Sequence, residues 1–440
     1  MNTDRRRSHF APVLSVKTWL AGTQWLLFMF ANTVVIPVSV GSALHMDAVQ
    51  IAGFMQRSFL LTGLVCLMQV LFGHGLPLLE GPSGVWWGVV LSVIAGAREA
   101  GVSLAVAGGS LELGIILSGF GIMILGALGM GRVLRKWFTP VATSVFLILL
   151  ATELISIFFR GMLGLTNGPE IVLPTAALSC MLVVVVLVVN VKGHRAIRNF
   201  AILIGIALGW IVYRLGLQPA PPTVAASFHS LGALFAWGPL AWQWGIVITA
   251  VLTGLINASN TVATLESVEP LFGVRPTDAM YRRSFLVTGF ATLLSGIFGV
   301  VPYAPYTSSI GFLRGTQIYD RLPFVIGSAL FVLLGLWGEA GAFFSTLPVS
   351  VGDAVLLVAY LQLFGSALQK LSGIVFTVRS IYRIALPTLL GIAVFTTPPG
   401  AFLSLPEAVR SFLGNGLLVG VAVAVVLENS VRWNALADSD

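Results

Sequence analysis

The sequence contains little charge and few reactive side chains. Charged residues make up only 9% of its 440 residues, whereas hydrophobic residues make up 57%. No water-soluble core could bury that much apolar surface, so this composition excludes a soluble globular protein. It indicates instead an all-α protein whose helices cross a lipid bilayer many times.

The scarcity of polar residues also excludes several functions. The five histidines lack the spacing of metal ligands, and no acidic cluster or nucleotide loop indicates an enzyme or a bound cofactor. Cys66 and Cys180 lie inside apolar runs, where we expect small core residues rather than a disulfide or a metal pair. The net charge of +7 comes from short basic clusters between apolar runs, which favours orientation signals over nucleic-acid binding.

Long apolar runs are abundant. We place fourteen segments, seven in each half, near residues 17–40, 50–72, 84–97, 110–130, 138–159, 171–191 and 197–216, and then 243–264, 284–301, 308–318, 324–346, 350–369, 380–397 and 412–431. Segments three and ten are too short to cross a bilayer core of about 30 Å, which takes roughly 20 helical residues. The proline-rich stretch 218–224 is the expected linker between the halves.

The basic residues predict the orientation. Most of the 24 lysines and arginines fall on one side if the N-terminus is cytoplasmic, in clusters that include residues 5–7, 132–136, 192–198 and 275–283. The positive-inside rule then places both termini in the cytoplasm. Seven segments per half give the halves opposite orientations, as in inverted-repeat transporters. A single multi-pass unit over residues 1–440, with no targeting peptide, fits a plasma membrane.

Segment ten follows a stretch that is broken by prolines. Pro302 and Pro305 lack backbone donors and rule out an ordinary helix after Gly299, so the chain is expected to run extended there. Helix can restart at Thr307, Ser308 and Ser309, which are good N-terminal residues. A half-helix that starts there would direct free N–H groups and its positive dipole end at a ligand.

Segment three repeats this pattern in the first half. Pro77 and Pro82 break the chain, and Ser83 can cap a short helix that runs into Trp86 and Trp87. Two broken segments at matching positions indicate a binding site in the middle of the membrane. The alternative is that each break is only a kink, since proline and glycine are common in membrane helices.

Segment eight carries a polar stripe. Its members recur at helical spacing and share one face: Thr253, Asn257, Asn260, Thr261 and Thr264. A polar stripe within a bilayer is expected to face a cavity or another helix. The second reading is that these residues join helices through hydrogen bonds.

These motifs resemble the nucleobase–cation symporter-2 family, also called nucleobase–ascorbate transporters or xanthine/uracil permeases. Gly311 and Thr316 match the fixed Gly and Thr of its segment-ten signature, and Gln24 and Pro37 match the ends of its segment-one motif. The stretch from Glu80 to Gly84 is similar to the Gly-x-Ser before its short third helix. The resemblance covers nearly the whole chain and favours a member similar to purine permeases.

The resemblance implies a transporter built from two domains. The core domain would comprise residues 17–130 and 243–346, and the gate domain residues 138–216 and 350–431. Substrate would lie between the short strands that precede half-helices three and ten, with alternating access between core and gate. It implies import of a nucleobase, a purine or related oxopurine in preference to uracil, with a proton or sodium ion, by a homodimer.

The sequence departs from the family at the site itself. Asn257 replaces a substrate-binding carboxylate, Ser308 and Ser309 replace a Glu/Gln-Asn pair, and Trp25 replaces a histidine. An amide can still present a donor and an acceptor to a base, and a tyrosine can stack on it. The predicted substrate-binding residues are Asn257, Thr261, Tyr303, Tyr306, Ser308, Ser309, Ser83, Gly84 and Val85.

Two further hypotheses concern coupling and substrate class. Glu80, just before half-helix three, is the best candidate to bind the coupling proton, unless it pairs with Arg57 or binds backbone N–H groups of segment three. The alternative function is a small-anion transporter of the related fold, in which the N-termini of half-helices three and ten hold the anion without a carboxylate.

Overall fold

The computed structural model describes residues 15–129, 137, 139–165, 168–198, 200–217, 231–431 and 433. The expected linker 218–224 and the basic clusters at residues 5–7 and 132–136 lie outside these residues. Within them the chain is helical apart from loops and one short pair of strands.

A helix occupies each predicted segment of the first half. The helices are α1 (Val16–Thr33), α2 (Val35–Ala43), α3 (Ala48–Leu71), α4 (Gly84–Glu99), α5 (Leu104–Ala127), α6 (Pro140–Met162), α7 (Leu173–Lys192), α8 (Arg195–Arg198) and α9 (Ala201–Gly216). Strand β1 (Glu80–Pro82) directly precedes α4.

The second half repeats the order. Its helices are α10 (Trp244–Glu266), α11 (Glu269–Phe272), α12 (Asp278–Phe298), α13 (Ser308–Thr316), α14 (Arg321–Leu336), α15 (Gly338–Phe344), α16 (Val349–Leu371), α17 (Val378–Thr396), α18 (Glu407–Leu413) and α19 (Gly416–Ser430). Strand β2 (Tyr303–Pro305) precedes α13, as β1 precedes α4. The two short strands before the half-helices are therefore as predicted.

Not every segment is long enough to span a bilayer alone. Among the described residues, eight helices are long and apolar enough to cross a membrane, or up to nine if α13 and α14, bent by 119°, form one span. Three shorter apolar helices cover Gly84–Arg98, Ala201–Gly216 and Gly416–Ser430. The protein is thus a many-pass helical membrane protein, and the count of fourteen spans stays a prediction.

Segment one is not a single helix. It breaks between α1 and α2 at Val34, although the sequence pattern predicted one continuous segment. Pro37 explains the break, because it lacks the N–H that would bond the carbonyl of Thr33. The two pieces together still have the length of one span, Val16–Ala43.

The helices pack as two bundles. The first, which we call the strand bundle, contains β1, β2, α1–α5, α10 and α12–α15, and its main packing pairs are α5 with α12, α3 with α14, and α10 with α5. The second bundle contains α6, α7, α9, α16, α17 and α19, with α6 packed on α16 and α17 on α19. The bundles meet where α4 touches α6 and where α2 touches α16.

The two cysteines differ in environment. Cys66 is fully buried on α3, as expected, but Cys180 is exposed on α7, so the prediction of a core position for Cys180 is wrong. Apolar periodicity could not reveal this, because the lipid-facing side of a membrane helix is as apolar as its core. Both are free thiols.

Candidate binding site between two half-helices

The site is built around a two-stranded antiparallel ribbon. Glu80 pairs with Pro305, Gly81 with Ala304 and Pro82 with Tyr303. The ladder extends on both sides, because Ser83 N donates to Pro302 O at 2.7 Å and Tyr306 N donates to Leu79 O at 2.8 Å. Each strand leads directly into a half-helix, so the ribbon brings the N-termini of α4 and α13 together.

The two half-helices start differently. Ser83 caps α4, with its Oγ accepting from Val85 N at 3.2 Å, as predicted. Thr307 precedes α13 without a side-chain cap bond of its own. The first N–H groups of a helix have no partner within that helix, so these ends favour an acceptor or negative charge. Ser308, the first residue of α13, is exposed.

Asn257 of α10 joins the two halves of the ribbon. Ser83 Oγ donates to Asn257 Oδ1 at 2.6 Å, and Asn257 Nδ2 donates to Tyr303 O at 2.9 Å. Asn260 Nδ2 also donates to Asn257 Oδ1, at 3.1 Å. One N–H of the Asn257 amide remains beyond these bonds. A neutral side chain therefore connects the cap of α4 to strand β2.

Other predicted residues of the stripe and of α13 also hold the ribbon. Ser309 Oγ accepts from Leu79 N at 3.0 Å and is fully buried. Thr264 Oγ1 donates to Pro305 O at 3.0 Å. Thr261 is buried, and its hydroxyl has no partner among the described atoms. The hydrogen bonds of Asn257, Asn260 and Thr264 agree with the reading in which the stripe joins helices, and a cavity beside the stripe stays a prediction.

The two tyrosines of the break point in different directions. Tyr303 is 1% exposed, and its hydroxyl lies 3.5 Å from Ser58 O on α3, inside the strand bundle. Tyr306 is half-buried, lies against Gly81 and donates to Pro82 O. Of the two, Tyr306 has the ring surface that a ligand at the ribbon could reach.

Glu80 faces the interior of the strand bundle. Gln69 Nε2 donates to Thr288 Oγ1 at 3.0 Å, and Thr288 Oγ1 donates to Glu80 Oε1 at 2.7 Å. Glu80 Oε2 is buried without a partner among the described atoms. Arg57, the alternative partner, instead donates through Nε to Phe298 O at 2.8 Å and lies near Glu112.

A buried charged pair supports the chain just before β2. Glu112 of α5 accepts from Trp237 N at 2.9 Å and interacts electrostatically with Arg57. Gly299 ends α12 with φ +56°, and a Cβ there would lie 2.8 Å from Glu112 Oε1. This position therefore requires glycine for both its backbone conformation and its space.

Half-helix α4 presents a face of small residues to the second bundle. Gly84, Gly88 and Ser92 recur every four residues and lie on one side of the helix. A Cβ on Gly84 would lie 3.1 Å from the hydroxyl of Tyr360 on α16. Ser92 Oγ accepts from Asn415 Nδ2 at 3.3 Å. The second bundle thus places Tyr360 beside the start of α4, a residue that sequence reasoning missed.

Two cavities lie along the boundary between the bundles. The larger, of about 870 Å³, is lined by Ser42, His45, Met46 and Arg98 on one side and Arg160, Leu165, Gly168 and Pro169 on the other. The smaller, of about 110 Å³, lies beside α4 between Ser92 and Ala100 and includes Phe402 and Arg410. Among the described residues, no group of three or more His, Cys, Asp or Glu could hold a metal ion.

The predicted site residues fall into two groups. Asn257, Ser309 and Tyr303 are buried and bonded to the ribbon or its surroundings, so they shape the site. Ser308 is exposed, Tyr306 and Gly84 are half-buried, and Gly84 lies beside Tyr360, whereas Val85 is buried with its N–H bonded to Ser83. The sequence signals for the missed Tyr360 are weak, because nothing local distinguishes it from other aromatic residues of a membrane helix.

The chain is similar in sequence to known permeases. Residues 16–400 match the family model described as Permease family, that of xanthine and uracil permeases. The chain is 27% identical over 430 residues to the putative purine permease YwdJ of Bacillus subtilis, covering 95% of this chain and 97% of that protein. It is 27% identical over 429 residues to the uric acid permease PucJ of the same organism, covering 94% and 92%.

Solved transporters share the fold. The transmembrane domain of a cyanobacterium bicarbonate transporter, BicA, superposes with a TM-score of 0.58 at 15% identity, covering 95% of this chain and 98% of that one. The murine anion transporter Slc26a9 in the inward-facing state gives 0.59 at 14% identity, covering 93% and 68%. These likenesses extend over nearly the whole chain and concern the fold alone.

Proposed function

Because the chain belongs to the Permease family of xanthine and uracil permeases, we propose that it is a secondary active transporter that imports a purine nucleobase or related oxopurine by cation symport. Membership makes it a multi-pass membrane permease and not an enzyme. The names of its relatives, a putative purine permease and a uric acid permease among them, favour a purine over uracil.

One observation carries the proposal: the ribbon brings two half-helix N-termini together, with Asn257 between them. A purine presents several acceptors and donors along a flat edge, which backbone N–H groups and small hydroxyls can satisfy. Ser308 offers a hydroxyl at the start of α13, and Tyr306 offers a ring for stacking. Asn257 and Thr261 are buried, so we assign them to the shape of the site and not to direct contact with the base.

Transport requires the site to open to each side in turn. We assign the strand bundle as the core domain and the second bundle as the gate domain, with substrate bound between α4, α13 and Tyr360. Relative movement of the bundles would then expose the ribbon alternately. The contacts of α4 with α6 and of α2 with α16 support this assignment, because they place the N-terminal half-helix at the boundary between the bundles.

Glu80 is our candidate for the coupling proton. It sits in β1 beside the substrate strands, and its buried Oε2 is available to a proton. Glu80→Gln is expected to abolish the stimulation of uptake by an inward proton gradient. Thr288→Val removes the hydrogen bond to Oε1 and the one from Gln69 Nε2 but keeps the carboxylate, so it is the matched control for local packing. Unchanged pH-dependent uptake in Glu80→Gln would remove Glu80 from coupling.

The experiment that tests the function is uptake by cells that lack their own base permeases. Labelled urate, xanthine, hypoxanthine, guanine, adenine and uracil are supplied at acid and alkaline pH, with and without sodium. We expect saturable uptake of one or more purines that increases at acid pH. Protein at the membrane that takes up none of these bases would contradict the proposal.

A competition experiment tests the alternative function, transport of a small anion. This alternative is considered because the chain shares its fold with a bicarbonate transporter. Chloride, sulfate and bicarbonate are added to the same uptake assay. We expect no competition with the purine. Anion uptake without base uptake would instead identify the half-helix N-termini as an anion site.

We further propose a homodimer in the plasma membrane with both termini in the cytoplasm. Cysteines introduced singly at Ser92 and in exposed loops, such as Glu170 between α6 and α7, would be labelled by an impermeant thiol reagent from one side only. The orientation predicts labelling of Glu170→Cys from outside the cell. Labelling only after permeabilisation would reverse the orientation.

A further inference from the structure

The second bundle presses one buried carboxylate against half-helix α4. Glu153 lies on α6 and is 6% exposed. Its Oε2 would lie 2.9 Å from a Cβ on Gly88, so the carboxylate rests directly on the α4 backbone. Neither of its oxygens has a hydrogen-bond partner among the described atoms. The proposed function makes no use of this side chain.

Three other buried acids in the described part of the chain are bonded, whereas Asp353, whose Oδ1 also lacks a partner, lies against Gly161 inside the second bundle and not against α4. Glu80 accepts from Thr288, and Glu112 accepts from Trp237 N. Glu428 accepts from both Arg383 and Thr139. A carboxylate kept only for packing is expected to resemble these. Glu153 differs because both oxygens lack partners and because it lies at the boundary between the bundles.

In the part of the chain that the structure describes, no counter-charge lies near Glu153. The titratable groups on helices packed against α6 are Arg98 on α4; Asp353, Tyr360 and Lys370 on α16; Arg379, Tyr382 and Arg383 on α17; Glu428 on α19; and Cys180 and Lys192 on α7. Asp353 lies against Gly161, eight residues along α6 and therefore about 12 Å away at 1.5 Å per residue. Arg98 is ten residues beyond Gly88 on α4, about 15 Å by the same rise.

Tyr360 is the nearest of these groups. Its hydroxyl lies at Gly84, one turn from Gly88, and it is neutral. On α6 itself, Arg160 is seven residues from Glu153, about 10 Å along the axis. An ionised carboxylate that is buried without a partner or a counter-charge is strongly disfavoured, whereas a neutral acid fits the same space.

We propose that Glu153 is a second protonation site, which couples proton binding to the closing of the two bundles along α4. A proton from the aqueous phase adds to the Glu153 carboxylate, and the neutral acid docks on Gly88. When the bundles separate, water reaches the carboxyl group, and the proton leaves. This inference rests on the proposed function for the identity of the transported purine. The protonation of Glu153 itself does not depend on which substrate is carried.

Glu153→Gln tests the proposal in proteoliposomes that contain the purified protein. The probe is the labelled purine taken up best by the wild type. Glutamine resembles the protonated acid, so we expect equilibrium exchange of internal and external purine to persist within about twofold of wild type. Accumulation driven by an inward proton gradient is expected to fall at least tenfold. Glu153→Asp keeps the titratable group and should restore part of the accumulation.

Glu170→Gln is the matched control, because Glu170 is an exposed carboxylate in the loop after α6. It should behave as the wild type in both assays. Accumulation by Glu153→Gln equal to that of wild type would overturn the proposal. Loss of both exchange and accumulation in Glu153→Gln and also in Glu153→Asp would overturn it too, because that result indicates that Glu153 has only a packing role.

A second measurement separates failure of this inference from failure of the proposed function. A hydrophobic carbodiimide modifies protonated carboxyl groups in apolar surroundings, and mass spectrometry identifies the modified peptide. We expect modification of Glu153 that increases as pH falls, whether or not any purine is transported. Absence of modification at every pH would overturn the inference even if purine uptake is established. Purine uptake that depends on sodium and not on pH would overturn it too.

Discussion

At the residue scale, the site depends on neutral side chains that bind the protein's own backbone. Asn257 bonds both the cap of α4 and strand β2, and Ser309 bonds the chain just before β1. These bonds fix the ribbon before any substrate arrives. The accessible groups are then few, namely Ser308, Tyr306 and the half-helix N-termini, so small changes in them should alter substrate binding more than stability.

Asn257→Ala is expected to lower both stability and uptake. It removes the acceptor of the Ser83 hydroxyl, which keeps its bond from Val85 N, and the donor to Tyr303 O, and each unsatisfied buried group costs about 1–3 kcal/mol. Because Asn257 holds the start of α4 against strand β2, we also expect uptake at low substrate to fall about tenfold, which corresponds to about 1.4 kcal/mol of binding free energy. The measurements are thermal unfolding in detergent and initial uptake rates.

Asn260→Ala is the matched control for that variant. Asn260 only donates to Asn257 Oδ1, which keeps its bond from Ser83, so the effect should be much smaller. Normal uptake and unchanged unfolding in Asn257→Ala would contradict the role of Asn257 in the site.

Ser308 and Ser309 are adjacent but should behave differently. Ser309→Ala removes the acceptor of the buried Leu79 N–H and should cost about 1–3 kcal/mol of stability. Ser308→Ala should leave unfolding unchanged but raise KM for the purine about three- to tenfold, because one hydrogen bond contributes about 0.5–1.5 kcal/mol. Equal effects of the two variants on KM and on stability would contradict this division.

Part of this residue-scale detail follows from the sequence. Serine before a short helix predicted the cap at Ser83, and the stripe on segment eight predicted Asn257 near the ribbon. The sequence could not show that Asn257 bonds the carbonyl of Tyr303 or that Ser309 bonds the N–H of Leu79, since these partners lie 46 or more residues away. Tyr303 and Tyr306 look equivalent in sequence, but only Tyr306 has an accessible ring.

At the scale of elements, the sharp turn from α13 into α14 fixes where the half-helix ends, and its conformation can be tested by substitution. The two helices are bent by 119°, and Gln317 ends α13 with φ +61° in the left-handed region. Its side chain donates to Arg314 O at 2.7 Å. A residue with a Cβ is disfavoured by roughly 1–2 kcal/mol in this conformation.

Substitutions at Gln317 should therefore rank by backbone preference. Gln317→Gly is expected to unfold at the same temperature as the wild type or higher, because glycine adopts the left-handed conformation freely. Gln317→Val should be less stable by about 1–2 kcal/mol, since a β-branched residue fits it poorly. The check is thermal unfolding of the three proteins in one detergent. Equal unfolding temperatures of Gln317→Val and Gln317→Gly would show that the turn does not require the left-handed backbone conformation.

Elements were the most predictable part of the fold. Pro302 and Pro305 predicted β2, and Pro77 and Pro82 predicted the break before α4, because proline removes donors whatever the tertiary context. Pro37 has the same chemistry, and it interrupts the helix of segment one without ending the span Val16–Ala43. A single proline in an apolar run is compatible with a kinked helix or a break, and packing decides between them.

At the scale of the whole molecule, α4 forms the boundary across which the bundles meet. Its small residues let Tyr360, Glu153 and Asn415 of the second bundle approach closely. A seven-plus-seven repeat was predicted from run lengths and charges, and its count of fourteen spans stays a prediction. The partner of each α4 residue was not, because a small residue in a membrane helix does not reveal which neighbour it faces.

Joining the bundles should stop transport. Ser92 Oγ and Asn415 Nδ2 are 3.3 Å apart, so Ser92→Cys combined with Asn415→Cys places two thiols at the boundary. We expect oxidant to block uptake and reductant to restore it. Each single variant should be insensitive to oxidant, which controls for Cys66 and Cys180 and for loss of the Asn415 cap on α19. Full transport by the cross-linked protein would contradict relative movement along α4.

The central claim is that a purine binds between the two half-helices, and the most direct test is a structure determined with the transported purine bound. We predict density for the base between Ser308, Tyr306 and the start of α4 at Gly84, within hydrogen-bonding distance of Ser308 or of the first N–H groups of α4 and α13. Density for the base elsewhere, with the ribbon region unoccupied, would contradict the account.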